Sequence, residues 1–283
     1  MRIKKLILGF ALFIFLTLYI AGCFTILTEV DVLFESTPAG ASLWIDGQDT
    51  GYQTPLTLPL YPVKYSVTIK KDGYYDWQKE IQIEATEGQE IIAELSVAPE
   101  QEITIPLDDQ NGQDASVLAF HPYGNYGEEA TLGVGSNMNP YQNLIYRSYL
   151  QFDLEDIPEE ARLLEVKLGL FFSSDGKPEE PAEIALYPVW EEWQETIITW
   201  DLQPDIASKP CGITTVPASL TMDFVWWDIT GIVQEWHNHH LNNYGLVLKD
   251  PNEETIDGGK GFASSESEID SQHPRLQVKY YLP

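Results

Sequence analysis

The chain has 283 residues, with 44 acidic against 16 basic side chains and a formal charge of −28. So anionic a surface repels phosphate backbones, which excludes nucleic acid as a partner. Hydrophobic residues at 43% and aromatics at 12% exclude a disordered chain, and two cysteines, Cys23 and Cys211, exclude a disulfide framework. The length suggests about two domains of ordinary size.

Residues 1–22 have the layout of an export signal: a basic Met1–Lys5 followed by the uncharged stretch Leu6–Gly22. Ile20-Ala21-Gly22-Cys23 closes it and resembles the lipobox of bacterial lipoproteins. That resemblance implies cleavage before Cys23, acylation of its thiol (palmitate among the chains) and a lipidated tether over residues 23–28. Each buried methylene adds about 0.8 kcal/mol, so two or three acyl chains hold firmly to a bilayer. An uncleaved span is the competing reading, at the short end of what crosses a membrane. Either way the remainder lies outside the cytoplasm, anchored to a bacterial cell membrane at the cell surface or in the periplasm. Arg2, Lys4 and Lys5 leave with the signal and no acid does, so 13 basic and 44 acidic side chains remain, a charge of −31.

Period-two alternation begins at Val30 and recurs in Val32/Phe34, Leu43/Ile45, Val67/Ile69, Ile81/Ile83 and Ile91/Ala93/Leu95. Asp46-Gly47, Asp72-Gly73 and Glu87-Gly88 separate these runs with turn glycines. Six short strands over residues 29–98 predict a small antiparallel sandwich. Ser36–Gly47, Thr54-Pro55 and Lys71–Trp77 resemble the PEGA domain of prokaryotic envelope proteins. The resemblance implies a spacer or interaction module, with Val63 departing from the glycine usual before Tyr65. Trp44, Tyr74, Tyr75 and Trp77 read as sheet packing.

Residues 99–113 are acidic and polar and read as a linker. Beyond them, short apolar runs at Tyr149–Leu154, Val166–Phe172, Ile184–Val189, Phe224–Ile229, Gly245–Leu248 and Leu276–Tyr280 predict a jelly-roll-like sandwich over residues 114–283. One helix is expected over Thr230–His240, with Ile232, Val233 and Trp236 on one face and Thr230 as its cap. The fold class is thus all-β, a small sandwich followed by a larger one with one short helix. Tyr123–Gly135, Tyr146–Pro158, Trp193–Pro204, Val225–Trp236, Asn242–Asp250, Phe262–Glu266 and His273–Tyr281, in that order, resemble the DNRLRE domain. That resemblance implies an extracellular β-sandwich and carbohydrate binding without naming the sugar; Thr196 and Ile197 depart from its usual Gly and Thr.

Chemistry of the catalytic kind is not signalled. No nucleophile elbow, phosphate loop or zinc helix occurs, and carboxylate pairs cannot be singled out among 44 acids. His237, His239 and His240 lack a fourth ligand at a fitting spacing and read as a solvated helix end. Cys211, in Lys-Pro-Cys-Gly, reads as a loop or packed thiol rather than a nucleophile. Neither 107–118 nor 253–264 satisfies an EF-hand, since Leu107 and Leu118 would stand at the first and twelfth ligand positions of the one and Ser264 at the twelfth of the other. Structural calcium is instead expected between Asp114 and Glu266, at either end of the second module. For sugar binding, aromatic platforms with an orienting Arg are needed, and the candidates are Tyr123, Tyr126, Arg147 and Trp193. The expected protein is a membrane-anchored, non-catalytic binder of a polysaccharide or envelope glycan. The alternative is a structural component that contacts envelope proteins without binding glycan.

Overall fold

The computed structural model describes residues 28–86, 88–108, 110–136, 144–175, 180–218, 221–253 and 259–283. The export signal, Cys23 and most of the tether lie outside these residues. The chain divides into two compact units, Met1–Val97 and Ala98–Pro283. Among the described residues no helix is long and apolar enough to cross a membrane.

The first unit has β1 (Val30–Thr37), β2 (Ser42–Ile45), β3 (Gln48–Gln53), β4 (Leu56–Leu60), β5 (Lys64–Lys70), β6 (Trp77–Gln82) and β7 (Gln89–Glu94). Its two sheets run β4-β1-β7 and β3-β2-β5-β6. The alternation read from Val30 is the packing register: Val32 and Phe34 face inward with Leu43, Val67, Ile69 and Ile91. One pairing departs from the antiparallel expectation, because β7 lies parallel to β1. A strand returning from the opposite sheet can add to an edge in either direction, and alternation alone does not say which. The expected Ser36 and Thr54 motif residues meet inside: their hydroxyls bond each other, and Thr54 Oγ1 accepts the Ala41 N–H at 3.1 Å. These bonds satisfy buried polar groups where two strand connections cross.

The second unit contains β8 (Gln101–Pro106), β9 (Gly112–Leu118), β10 (Thr131–Ser136), β11 (Ile145–Phe152), β12 (Arg162–Asp175), β13 (Ala182–Pro188), β14 (Gly212–Val216) and β15 (Phe224–Asp228). Then follow α1 (Thr230–His237), β16 (Leu246–Lys249), β17 (Lys260–Ala263) and β18 (Arg275–Tyr281). One layer runs β14-β13-β16-β11-β9. The other pairs the long β12 with both β15 and β18, and β18 with β8. β10 and β17 join the two layers. Between them lies the main core, including Leu150, Leu186 and Leu248 from one layer and Leu168, Trp227 and Val278 from the other.

Residues 101–106 correct the linker reading. They form an edge strand of this unit, with Ile105 buried and Glu102 and Thr104 exposed. Trp226 and Trp227 divide across the sheet as consecutive strand residues must. Trp227 is fully buried, whereas Trp226 lies over Gly169, where a Cβ would come within 2.5 Å of its ring. Gly245 has φ +83° and its Cα faces the Leu150 carbonyl, so no side chain fits there. The helix buries Ile232, Val233 and Trp236 as expected, but ends at His237. Thr230 does not cap it. Asp228 Oδ1 accepts the Thr230 N–H at 2.9 Å, and the Thr230 hydroxyl instead accepts the Val166 N–H.

Cys211 packs against the main core, and burial pushes its thiol up to about 11. Desolvation disfavours the thiolate, leaving on the order of one molecule in a thousand ionised at pH 8. Iodoacetamide at pH 8 should therefore leave the Cys211 peptide unlabelled in the native chain and label it fully in urea, as peptide mass spectrometry would show. Fast native labelling would mean that the loop before β14 opens.

Candidate functional site

A second, smaller core lies on the outer face of the β14-β13-β16-β11-β9 layer. Ala115, Val117, Tyr149 and Val247 point outward there and are covered by Val189, Trp193 and Ile198 of the segment between β13 and β14. The 119–127 turn holds that segment down: Asn125 Nδ2 donates to the carbonyls of Glu195 and Ile198, and Asp201 N donates to Pro122 O.

At the edge of this covered face stands Arg147. Its Nε and Nη2 donate to the two carboxylate oxygens of Glu253 at 2.6 and 2.7 Å. Nη1 donates to Gln203 Oε1 at 2.8 Å, an oxygen that also accepts the Tyr149 hydroxyl. The guanidinium lies 4.6 Å from the Trp200 ring centroid, and Gln203 Nε2 donates to the Trp200 carbonyl. Lys249 Nζ lies 5.6 Å from the Tyr187 ring centroid and 3.6 Å from Glu253. Burial works against the charge on Arg147, but the Glu253 carboxylate more than offsets it and holds the cation in place. The result is a partly exposed surface with two aromatic rings, two cations, an amide and a carboxylate, all fixed by one another. Such a surface can pack apolar sugar faces against rings and direct N–H donors at hydroxyls.

A second constellation joins three separate segments. Asp114, fully buried near the start of β9, accepts the Ser265 N–H at Oδ2, and its own N–H donates to Glu195 Oε1, each at 2.9 Å. Glu266 Oε1 accepts the Ser265 hydroxyl at 3.0 Å. One carboxylate oxygen from each of Asp114, Glu195 and Glu266 lies within 4.8 Å of the others. Asp114 Oδ1 and Glu266 Oε2 are buried without a hydrogen-bond partner. Burial, then the neighbouring Glu266 charge, holds the Asp114 carboxyl well above the usual carboxylate range.

The four residues expected to bind sugar stand in different surroundings. Tyr123 is 82% exposed, one residue from the Pro122 carbonyl that ties the turn to Asp201, beside Trp200. The Tyr126 hydroxyl bonds His121 Nδ1 at 2.7 Å. Trp193 is buried, its ring tilted against Tyr149 and its indole N–H donating to Tyr244 O, so it is packing and not a platform. Trp200, Gln203 and Glu253 around Arg147 were missed, as was Glu195 beside Asp114 and Glu266. The three histidines also do not converge. His240 Nδ1 lies 3.3 Å from Glu235, and His239 takes a left-handed φ of 56° beyond the helix end.

Residues 110–280 match carbohydrate-binding module family 96. The chain belongs to this family. The family 96 span holds Arg147, Trp200, Gln203 and Glu253 and all three clustered carboxylates, but not β8. Residues 29–98 match the PEGA domain. No curated protein matches the chain. Among solved structures, BcpA, the major pilin subunit of Bacillus cereus, is similar at 11% identity and a TM-score of 0.18. That match covers 90% of this chain, which spans 58% of the pilin's length. A carbohydrate-binding module of the β-sandwich superfamily, studied for promiscuous specificity, is similar at 10% identity and a TM-score of 0.13. It covers 86% of this chain and 79% of that one.

Proposed function

We propose that this is a lipid-anchored, non-catalytic, extracytoplasmic protein whose family 96 unit binds carbohydrate at the surface built by Arg147, Trp200, Gln203 and Lys249. The family 96 match over 110–280 carries the reading. The Arg147 guanidinium, fixed against Trp200 by Glu253 and Gln203, supports the location, because a preorganised donor beside a ring costs little ordering on binding. The resemblance to the DNRLRE domain supports the same activity, and the exposed Tyr123 follows Pro122, whose carbonyl accepts the N–H of Asp201 next to Trp200. The PEGA unit serves as the module between anchor and binder, and Cys23 carries the acyl chains.

The test is a glycan array probed with the full chain in detergent, followed by titration of the best polysaccharide. Saturable binding is expected, weakened at least about tenfold in Trp200→Ala, equivalent to about 1.4 kcal/mol. Trp193→Ala should lower the melting temperature more than Trp200→Ala does, because Trp193 is buried in the small core that Trp200 only flanks. Silence across neutral and acidic glycans would replace this reading with a structural role among envelope proteins. For the anchor, the mature chain should begin at Cys23 and carry diacylglycerol on its thiol, seen as a mass increment on the N-terminal peptide and as palmitate label that Cys23→Ser abolishes; an unmodified Cys23 with residues 1–22 still attached would mean an uncleaved span.

A further inference from the structure

We infer that Asp114, Glu195 and Glu266 form a binding site for a divalent cation, calcium. The acidic cluster alone would not carry this, since carboxylates gather on many anionic surfaces. What distinguishes this one is a fully buried Asp114 whose Oδ1 has no hydrogen-bond donor, beside a buried Glu266 Oε2 in the same state. A buried carboxylate oxygen without donor or counter-ion is costly, and like charges nearby add to that cost. A cation placed among the three carboxylates gives both oxygens a partner and relieves their repulsion together.

The geometry and donor set choose the ion. Ligand oxygens on calcium sit at about 2.3–2.6 Å, so opposite ligands are separated by about 5 Å. The three carboxylate oxygens lie within 4.8 Å of one another. An all-carboxylate set, without nitrogen or sulfur, suits hard cations and not zinc or copper. Magnesium keeps several waters and a strict octahedron, whereas the burial of Asp114 favours the ion that sheds water readily. Backbone bonds keep the carboxylates aimed inward: Ser265 N–H holds Asp114, and the Gln113 side chain accepts Glu195 N–H at 3.0 Å. The ion would then pin β9, the covering segment and the stretch after β17 to one point.

The full chain in detergent, stripped with chelator and dialysed, is titrated with calcium chloride by calorimetry and melted with and without the metal. One strong site per chain is expected, with a rise in melting temperature of about 5–10 °C at saturation. Asp114→Asn and Glu266→Gln should each lose that heat and that rise. In chelator, Asp114→Asn should melt no lower than the native sequence, because it removes a buried carboxyl whose Oδ1 has no hydrogen-bond partner and which faces Glu266. If either variant fails to fold, Glu195→Gln carries the same comparison. A native melting temperature that calcium does not move, or strong binding that persists in the variants, overturns the site. An equal response to magnesium overturns the choice of calcium. Neither readout depends on sugar, so this inference and the glycan reading fail separately.

Discussion

Replacing Trp227 with alanine is expected to lower the melting temperature of the family 96 unit by roughly 10 °C or more. The indole is fully buried between the layers, in an edge contact with Phe262 at 5.8 Å, and its N–H donates to Ile184 O at 3.0 Å. Truncating a buried aromatic to alanine costs about 3–5 kcal/mol, and the orphaned carbonyl adds about 1 kcal/mol. In a unit of this size each kcal/mol lowers melting by about 2–4 °C. Trp226→Ala is the control, one residue away on the opposite face and partly exposed. It should shift melting by less than half as much in the same near-ultraviolet circular dichroism experiment. Equal shifts would mean that β15 is not the inward and outward strand described above.

Arg147→Met is expected to cost about 2 kcal/mol, more than an ordinary surface ion pair. The pair with Glu253 is bidentate and its side chains are 19% and 15% exposed, so breaking it strands a carboxylate with Lys249 as its remaining cation at 3.6 Å. Breaking a fully buried pair costs about 3–5 kcal/mol, and partial exposure reduces that figure. Combining Arg147→Met with Glu253→Gln should recover more than half of the loss, because no charge is then left stranded. A urea-denaturation double-mutant cycle measures this, and strictly additive losses would refute it. Arg147→Lys should keep more stability than the Met variant, yet an ammonium can neither fork onto Glu253 nor stack on Trp200.

Much of the fold was legible because its signals are local. Val32 and Phe34 announce their face by alternation, and the adjacency of Trp226 and Trp227 requires them to part. The strand at 101–106 was also written in alternation, with Ile103 and Ile105 between polar residues, but its acidic flanks outweighed two isoleucines. Thr230 looked like a cap because cap identity is local, while Asp228, two residues earlier, reached the amide first. The candidate site was less legible because it is assembled across the fold. Asp114 and Glu266 were paired from the sequence as flanking acids, but Glu195 comes from a covering segment that no spacing connects to them. Arg147 was singled out, yet its partners Trp200, Gln203 and Glu253 stand 53, 56 and 106 positions away along the chain. Trp193 and Trp200 look equivalent as letters. Only packing decides that one is core and the other lies beside the guanidinium.

The pairing of β8 with β18 has a consequence for how this unit can be reused. Gln101 stands opposite Tyr280, so the first and last strands of the unit begin and end side by side. A unit whose ends meet can be spliced into a surface turn of another protein without stretching its host, and can be reopened at a different turn once its native ends are joined by a short flexible bridge.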